Sequence, residues 1–277
     1  MYVGQFMRLL LFIFFSATTF AQPLKINIVS DVIQAKDISD LDMSFELLLQ
    51  LTEPLIASNA IEIEFIPASR LREWRELTNQ SNVCLYNKVK TPEREHFGIF
   101  TDYPITAFPP NRLAVHSHLP LPEQLSLPQT MNDFGLTIGA IEGRAYGQHI
   151  DQFLLDNHDR IIWISGKDSA KRLRKMLIRK KVDAIIEFTA TFSTESEADL
   201  AALTFHKLDE ASESIFGYIA CARSSVGQQA IDLFNGQLAL PSNQKIIIDA
   251  HYASFFNQEA QYIAEDIKKK FDQPSSR

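Results

Sequence analysis

Three arginines, Arg70, Arg94 and Arg144, each follow a segment with the pattern of a β-strand. Arg94 stands three residues after Thr91 and six before Phe100, in the segment TPEREHFGIFTDYP. A guanidinium group binds carboxylate or phosphate through two parallel hydrogen bonds. The chemistry that these residues predict is therefore the binding of a small anion, with Arg94 as the principal cation.

Each arginine also has a purely structural interpretation. Arg70 could pair with Glu73 on the surface of a helix, and Arg144 could point at solvent. Arg94 lies between two glutamates and could form a local salt bridge. The turn at Gly143, however, leads into a helix N-terminus, where unpaired N–H groups also favour an anion. Because the independent signals agree in sign, we favour the anion site.

Strands and helices alternate in the first part of the chain. Alternating, β-branched segments predict strands at 24–29, 61–66, 82–86 and 111–116. Apolar residues at helical spacing predict helices at 41–57 and 70–77, the second with Ser69 as N-cap. Strands separated by helices indicate parallel βαβ units.

A second block follows residues 117–133, where three prolines and little periodicity indicate a connector. It has predicted strands at 136–141, 160–164 and 182–186 and predicted helices at 148–155 and 169–179. The strand at 216–222 points back to the first block, and helices at 228–234 and 258–271 end the chain. The basic helix at 169–179 is amphipathic, so we expect its charges on a solvated face.

These patterns predict an α/β fold of two lobes, each a mostly parallel sheet flanked by helices. Residues 22–116 and 217–277 would form lobe 1 and residues 117–216 lobe 2, joined by a hinge of two crossings. Ligands in open α/β sheets lie beyond the carboxyl ends of the strands. The candidate ligand-binding residues at those ends are Asp31, Arg70, Asn87, Thr91, Arg94, Gly143, Arg144, Ala145, Tyr146 and Glu187, with Tyr103 at the cleft edge.

The first 21 residues are predicted to be a cleavable signal peptide. Arg8 precedes a short apolar run at 9–15, and the segment ends at Ala21 in a small-x-small pattern. The run is far shorter than the roughly 20 residues that span a bilayer, although an uncleaved anchor is the alternative. No cysteine follows the cleavage point, so we expect a periplasmic protein that is not a lipoprotein.

Composition excludes several classes of function. A net charge of −7 argues against nucleic-acid binding, which depends on phosphate neutralisation. Cys84 and Cys221 could form a disulfide or remain buried thiols. His116 and His118 have no third ligand nearby, so no metal site and no cofactor are predicted. Nucleophile, zinc-protease, phosphate-loop and dinucleotide motifs are absent from the sequence.

The chain resembles the family 3 extracellular solute-binding proteins, which have the type II periplasmic binding-protein fold. Thr91, Arg94, Phe100, Thr101 and Asp102 match the family's spacing of Thr, Arg and an aromatic-Thr-Asp turn. The resemblance implies that Arg94 clamps a ligand carboxylate. The segment GLTIGAIEGRAYG likewise resembles the family's strand–glycine–helix element, which places residues 143–145 at a ligand-facing turn.

Two departures from the family's pattern concern the other end of the ligand. Phe188 stands where amino-acid binders usually carry an aspartate for the ammonium group, and Glu187 could take that role only if the strand is shifted by one. The aromatic patch after the first strand is replaced by DVIQAKD.

The resemblance implies a monomeric periplasmic protein that binds an anionic or zwitterionic, amino-acid-like solute for the inner-membrane permease of an ABC importer. A ligand sensor that docks on a membrane signalling protein is the alternative. A periplasmic enzyme with Glu142 and Glu187 as acid and base is a remote third interpretation.

Overall fold

The computed structural model describes residues 22–31, 43–192, 195–211, 213–255 and 257–273, so the predicted signal peptide lies outside the described residues. Within these ranges the elements in chain order are β1 (Leu24–Ser30), α1 (Met43–Ala57), β2 (Ile61–Pro67), α2 (Arg70–Asn79), β3 (Val83–Val89), α3 (Pro92–Phe97), β4 (Gly98–Phe100), β5 (Thr106–Phe108), β6 (Arg112–His116), β7 (Gln124–Leu125), α4 (Leu127–Asn132), β8 (Ile138–Ile141), α5 (Gln148–Asp156), β9 (Ile162–Ile164), α6 (Ser169–Ile178), β10 (Ala184–Glu187), α7 (Glu197–Ala201), β11 (Leu203–Leu208), β12 (Ile215–Ala222), α8 (Ser225–Leu238), α9 (Pro241–Ser254) and α10 (Asn257–Asp272). The predicted α/β class is confirmed. None of the helices in these ranges is long and apolar enough to cross a membrane.

The first sheet has the strand order β2-β1-β3-β12-β4, and β5 also pairs with β12. β1 runs parallel to both β2 and β3, whereas β12 runs antiparallel to β3. Ile26 and Ile28 of β1 are buried against α1, whose Phe45, Leu48 and Leu51 fall at helical spacing on one face. Sequence periodicity therefore predicted this half well.

The second sheet has the order β7-β11-β6-β10-β8-β9. The second sheet contains β6, whereas the strand predicted at 111–116 was assigned to the first block. The expected assignment of this strand to lobe 1 is thus corrected. The segment at 117–133 is likewise not a plain connector: it contains β7 and α4. Ser126 and Gln129 form a capping box at the start of α4, where a proline in the first turn is compatible with a helix.

The sheets are mixed rather than mostly parallel, and the crossings explain why. The chain passes to the second sheet between β5 and β6 and returns between β11 and β12. Both β6 and β12 therefore start at the edge where the parallel strands β10 and β3 end, with Arg112 opposite Glu187 and Gly217 opposite Val89. A strand that starts at that edge must run antiparallel to its neighbours.

Cys84 and Cys221 form a disulfide with an S–S distance of 2.02 Å. The two residues lie directly opposite each other on β3 and β12 and are buried in the first core. The structure thus shows a bridge where the sequence alone left free thiols as an alternative. This bridge ties the strand that returns from the second sheet to the centre of the first.

Candidate ligand-binding cleft

A cavity of about 250 Å³ lies between the two sheets, at the carboxyl ends of their parallel strands. Residues following β3, β8 and β10 line it together with residues of α2 and α6. Its volume is below the roughly 300–1,000 Å³ of cavities that hold drug-sized ligands, so only a small molecule fits. A larger, open depression of about 670 Å³ lies near Leu24 and Asn82, at the amino ends of β1 and β3.

Arg94 is held by the start of α3. Thr91 is the N-cap residue, and its hydroxyl accepts a hydrogen bond from the Arg94 N–H at 3.3 Å. Pro92 occupies the first helical position, where its fixed backbone angle favours the turn. Thr91 is not among the cavity-lining residues, so its place in the structure is to orient the helix that carries Arg94.

The Arg94 guanidinium connects the two sheets through backbone carbonyls. Nη1 donates to the Val89 carbonyl at 3.0 Å, and Nη2 donates to the Gly143 carbonyl at 2.8 Å. The group also lies 4.7 Å from the centre of the Trp74 ring. In the part of the chain that the structure describes, Arg94 forms no ion pair with a carboxylate. Burial lowers the pKa of Arg94 to about 10, which still leaves it cationic at neutral pH.

Gly143 meets Arg94 because its backbone has a positive φ of 76°. A side chain at this position would approach Leu71 and Arg70 at the start of α2, and the positive φ would strain it in any case. Glycine therefore allows the β8 turn to come close to the first sheet. The neighbouring Ala145 also lines the cavity.

Arg144 and Glu187 form a bidentate ion pair on the opposite wall. Nη1 and Nη2 of Arg144 donate to the two carboxylate oxygens at 2.7 and 2.5 Å. Burial disfavours the charged form of both groups, but their mutual attraction and hydrogen bonds outweigh this effect. The pKa of Arg144 is therefore raised and that of Glu187 is lowered. Arg174 adds a second cation, 3.9 Å from Glu187. Glu187 is thus committed to arginines.

Tyr146 lies beneath this ion pair and belongs to the second core. Its hydroxyl accepts a hydrogen bond from the Ile141 N–H at 2.8 Å, and its ring lies 4.7 Å from the Arg144 guanidinium. Burial raises the pKa of Tyr146 to about 12. Tyr103 is farther from the cleft, because it packs against Phe271 in the first core. Neither tyrosine lines the cavity.

Arg70 and Asp31 face each other at the first wall, with Arg70 Nε 3.2 Å from an Asp31 oxygen. The contact is poorly aligned for a hydrogen bond, and the buried Nε has no hydrogen-bond partner among the described residues. Arg70 lines the cavity, whereas Asp31 contacts Arg70 without lining the cavity. The alternative pair of Arg70 with Glu73 does not form; Glu73 forms an ion pair with Lys88 at 2.5 Å instead.

Asn87 lines the cavity through an unusual backbone conformation. Its φ is 52°, in the left-handed region, and its side-chain oxygen accepts a hydrogen bond from the Thr106 hydroxyl at 2.8 Å. The register of β3 and β12 shifts between Tyr218 and Ala220, which identifies a β-bulge. Gly217 has no side chain, and any Cβ there would collide with Asn87 and Thr106.

Phe188 lines the cavity. Its ring stacks on Phe108 with centroids 4.9 Å apart, which joins the end of β10 to the last residue of β5. Arg144 lies 5.2 Å from the same ring. The place where the family resemblance predicts an ammonium-binding carboxylate is therefore aromatic and flanked by a cation.

Sequence analysis missed several cavity residues. Trp74 lies four residues after Arg70, a spacing that puts both on one helix face, so helical periodicity could have identified it. Arg174 was expected on the solvated face of its helix but turns into the cleft, where it lies 3.3 Å from Glu195. No local pattern in the sequence distinguishes Arg174 from its basic neighbours.

No group of three or more metal-ligating side chains occurs among the residues that the structure describes. His116, one of the two histidines considered for such a site, forms a hydrogen bond of 2.7 Å with the Leu177 carbonyl.

Comparisons with solved structures identify the fold. ArtJ, an arginine-, lysine-, histidine-binding protein from Geobacillus stearothermophilus, matches with a TM-score of 0.64 and 14% identity over 83% of this chain and 95% of that one. AbpA, an amino acid ABC transporter substrate-binding protein from Streptococcus pneumoniae bound to L-arginine, matches with 0.56 and 17% over 92% and 97%. A histidine kinase sensor domain with similarity to periplasmic binding proteins matches with 0.63 and 12% over 92% and 99%.

No protein-family model and no curated protein matches the sequence. Structural matches at such low sequence identity establish the fold but not the ligand, which must be inferred from the site. The two mixed sheets, the two crossings between them and these structural matches together show that the chain has the type II periplasmic binding-protein fold.

Proposed function

We propose that this protein is a solute-binding protein that captures a small carboxylate-bearing ligand, anionic or zwitterionic, in the cleft. The observation that carries this proposal is Arg94, a half-buried cation whose hydrogen-bond and ring partners among the described residues are two carbonyls and an aromatic ring. A ligand carboxylate would replace or supplement weaker carbonyl bonds with a charge-assisted pair. Thr91, Arg70, Asn87 and residues 143–145 would position or enclose the ligand.

Closure of two lobes would bury the ligand. Residues on the first sheet would form one lobe and those on the second sheet the other, with the two crossings as the hinge. The Arg94 bond to Gly143 would then belong to the closed arrangement, because it joins the two lobes. This division places β6 in the second lobe and otherwise keeps the predicted plan.

An ABC importer is the partner that we favour. AbpA is described as an ABC transporter substrate-binding protein, and its fold covers nearly all of this chain. The protein would be exported by residues 1–21, work as a periplasmic monomer and deliver its ligand to an inner-membrane permease. Neighbouring permease and ATPase genes would favour this function.

Sensing is the second candidate, because the histidine kinase sensor domain matches as well as the transport proteins do. The cleft would be the same and the partner a membrane signalling protein. A neighbouring gene for a membrane kinase or cyclase would favour it.

An enzyme is disfavoured by the state of Glu187. The lowered pKa and the two oxygens engaged by Arg144 leave this carboxylate poorly suited to proton transfer with Glu142. Turnover of a bound compound that is lost in Glu187→Gln would restore this third possibility.

A thermal-shift screen of the purified protein against carboxylates, amino acids and polyamines tests the proposal. Arg94→Gln is expected to abolish the stabilisation by any carboxylate hit, because losing one partner of a buried charge pair costs about 2–5 kcal/mol. Arg75→Gln is the matched control, since Arg75 is exposed on the outer face of α2. Unchanged affinity in Arg94→Gln, or polyamines as the strongest hits, would contradict the clamp.

A further inference from the structure

Each described cation that lines the cavity forms an ion pair with a carboxylate, with the exception of Arg94. Four ion pairs surround the cavity: Arg70–Asp31 at 3.2 Å, Lys88–Glu73 at 2.5 Å, Arg144–Glu187 at 2.5 Å and Arg174–Glu195 at 3.3 Å. Arg94 is the remaining cation, and it contacts carbonyls rather than a carboxylate. Among the described lining residues, Arg94 is therefore the cation without a carboxylate at ion-pair distance.

The two carboxylates that line the cavity are both committed. Glu187 gives each of its oxygens to Arg144 and also accepts from the Phe188 N–H. Glu73 accepts from Lys88 with one oxygen and from the Asp31 N–H with the other. Both glutamates are at most 2% exposed. Among the described lining residues there is no third carboxylate.

Among the described lining residues, a ligand ammonium group would thus find no carboxylate that is free of a cation. A buried charge is tolerated only when it is paired and hydrogen-bonded. To reach Glu187, the ammonium would have to approach Arg144 and Arg174, both of which repel it. To reach Glu73, it would have to displace Lys88.

The rest of the wall suits an uncharged group. Phe108 and Phe188 are stacked on each other in the wall, and Ile215 and Ala170 also line the cavity. These side chains offer apolar surface, whose burial favours a hydrocarbon body on the ligand.

We propose that the ligand has one carboxylate and no free ammonium group, and is a small monocarboxylate with an uncharged body. This inference rests on the proposed function, because it takes Arg94 as the carboxylate clamp. The new claim is that α-amino acids are excluded, because Glu73 is already paired with Lys88 and Glu187 with Arg144.

Calorimetric titration of the purified protein with three matched pairs tests the inference. The pairs are propionate and L-alanine, 4-methylpentanoate and L-leucine, and 3-phenylpropionate and L-phenylalanine, which differ only in the α-ammonium group. In every pair that binds, we expect the monocarboxylate to bind at least tenfold more tightly. Glutarate should bind more weakly than the best monocarboxylate, because its second charge has no unpaired cation to meet.

A tighter amino acid in any pair, tighter glutarate, or no binding by all three monocarboxylates would overturn the inference. Arg94→Gln, with Arg75→Gln as control, separates this failure from failure of the proposed function. If an amino acid binds and Arg94→Gln abolishes its binding, the carboxylate-binding role of Arg94 is supported and only the exclusion of ammonium groups is contradicted. If binding persists in Arg94→Gln, the proposed function falls as well.

Discussion

The two walls of the cleft carry arginines in similar places but in opposite electrostatic states. Arg94 follows β3 on the first wall and donates to carbonyls of both sheets. Arg144 follows β8 on the second wall and has both of its terminal nitrogens bound to Glu187. The same residue type after a strand thus occurs in two states: Arg94 has no carboxylate at ion-pair distance among the described residues, whereas Arg144 is paired.

This difference shows that the partner of an arginine, more than its position, decides its function. A buried cation with a carboxylate partner gives the protein a fixed, neutral surface. A half-buried cation without one, such as Arg94, is a candidate partner for a ligand anion.

Glu187→Gln should produce the largest change in stability. Removing one partner of a buried ion pair leaves the other charge unpaired, which costs about 3–5 kcal/mol in the free energy of unfolding. Urea unfolding measures this, with Glu62→Gln as control because its pair with Lys25 is exposed. Arg94→Gln should lower the free energy of unfolding less than Glu187→Gln does. A larger loss of stability in Arg94→Gln than in Glu187→Gln would contradict the proposed difference between the walls.

Acid should act on the hinge before it acts on the second wall. His251 Nε2 accepts a hydrogen bond from the Ala107 N–H at 2.8 Å, next to Phe108, and burial lowers its pKa to about 4. The unfolded state, with a histidine pKa near 6.5, takes up a proton first as the pH falls. Stability is therefore full above about pH 6.5 and decreases towards pH 4, by roughly 3 kcal/mol at 1.36 kcal/mol per pKa unit.

The contribution of the Glu187 carboxylate is also lost on acidification, but in a lower pH range than that of His251. The folded pKa of Glu187 is lowered, so its contribution is full above the unfolded value of about 4.3 and is lost only at lower pH. Urea unfolding from pH 7 to pH 4 should show a slope that disappears in His251→Gln and persists in His118→Gln. A slope that instead disappears in Glu187→Gln would assign the acid sensitivity to the wall.

Arg94→Lys separates charge from geometry at the first wall. Lysine keeps the cation but cannot donate in a planar fork to a carboxylate and to two carbonyls at once. We expect a loss of about 1.5–3 kcal/mol in the binding of a carboxylate hit, the usual contribution of a hydrogen bond to a charged group. Calorimetry measures it. Arg144→Lys should lower the affinity less than Arg94→Lys does and should lower the melting temperature, because Arg144 is bound to Glu187; equal affinity losses in the two variants would contradict the difference between the walls.

Local patterns predicted most elements but not their assembly. The alternation in β1 and β2 and the apolar spacing of α1 placed these elements within a few residues. α9 was missed because its central III run does not have helical spacing. The sheet to which β6 belongs was wrong, because pairing with β10 and β11 is a contact across many residues that no local pattern contains.

The site shows the same division. The position of Arg94 after a strand could be inferred from its segment, whereas the commitment of Arg144 to Glu187, 43 residues away, could not. The ion pairs that neutralise Glu73 and Arg174 also depend on tertiary contacts. Sequence thus identified candidate charges, and only the fold shows which of them are already neutralised.

Trp74→Leu should have the smallest effect and should be confined to the first wall. The Arg94 guanidinium lies 4.7 Å from the Trp74 ring, a cation–π contact of about 0.5–2 kcal/mol that also fixes the direction of the guanidinium. Leucine keeps the site apolar but removes this attraction, so the affinity for a carboxylate hit should fall severalfold, about 1 kcal/mol. The other tryptophan, Trp163, stacks on His158 outside the cavity, so Trp163→Leu is the control. Equal affinity in wild type and Trp74→Leu would mean that the two carbonyls alone orient Arg94, and that the aromatic ring has no part in making the first wall the binding wall.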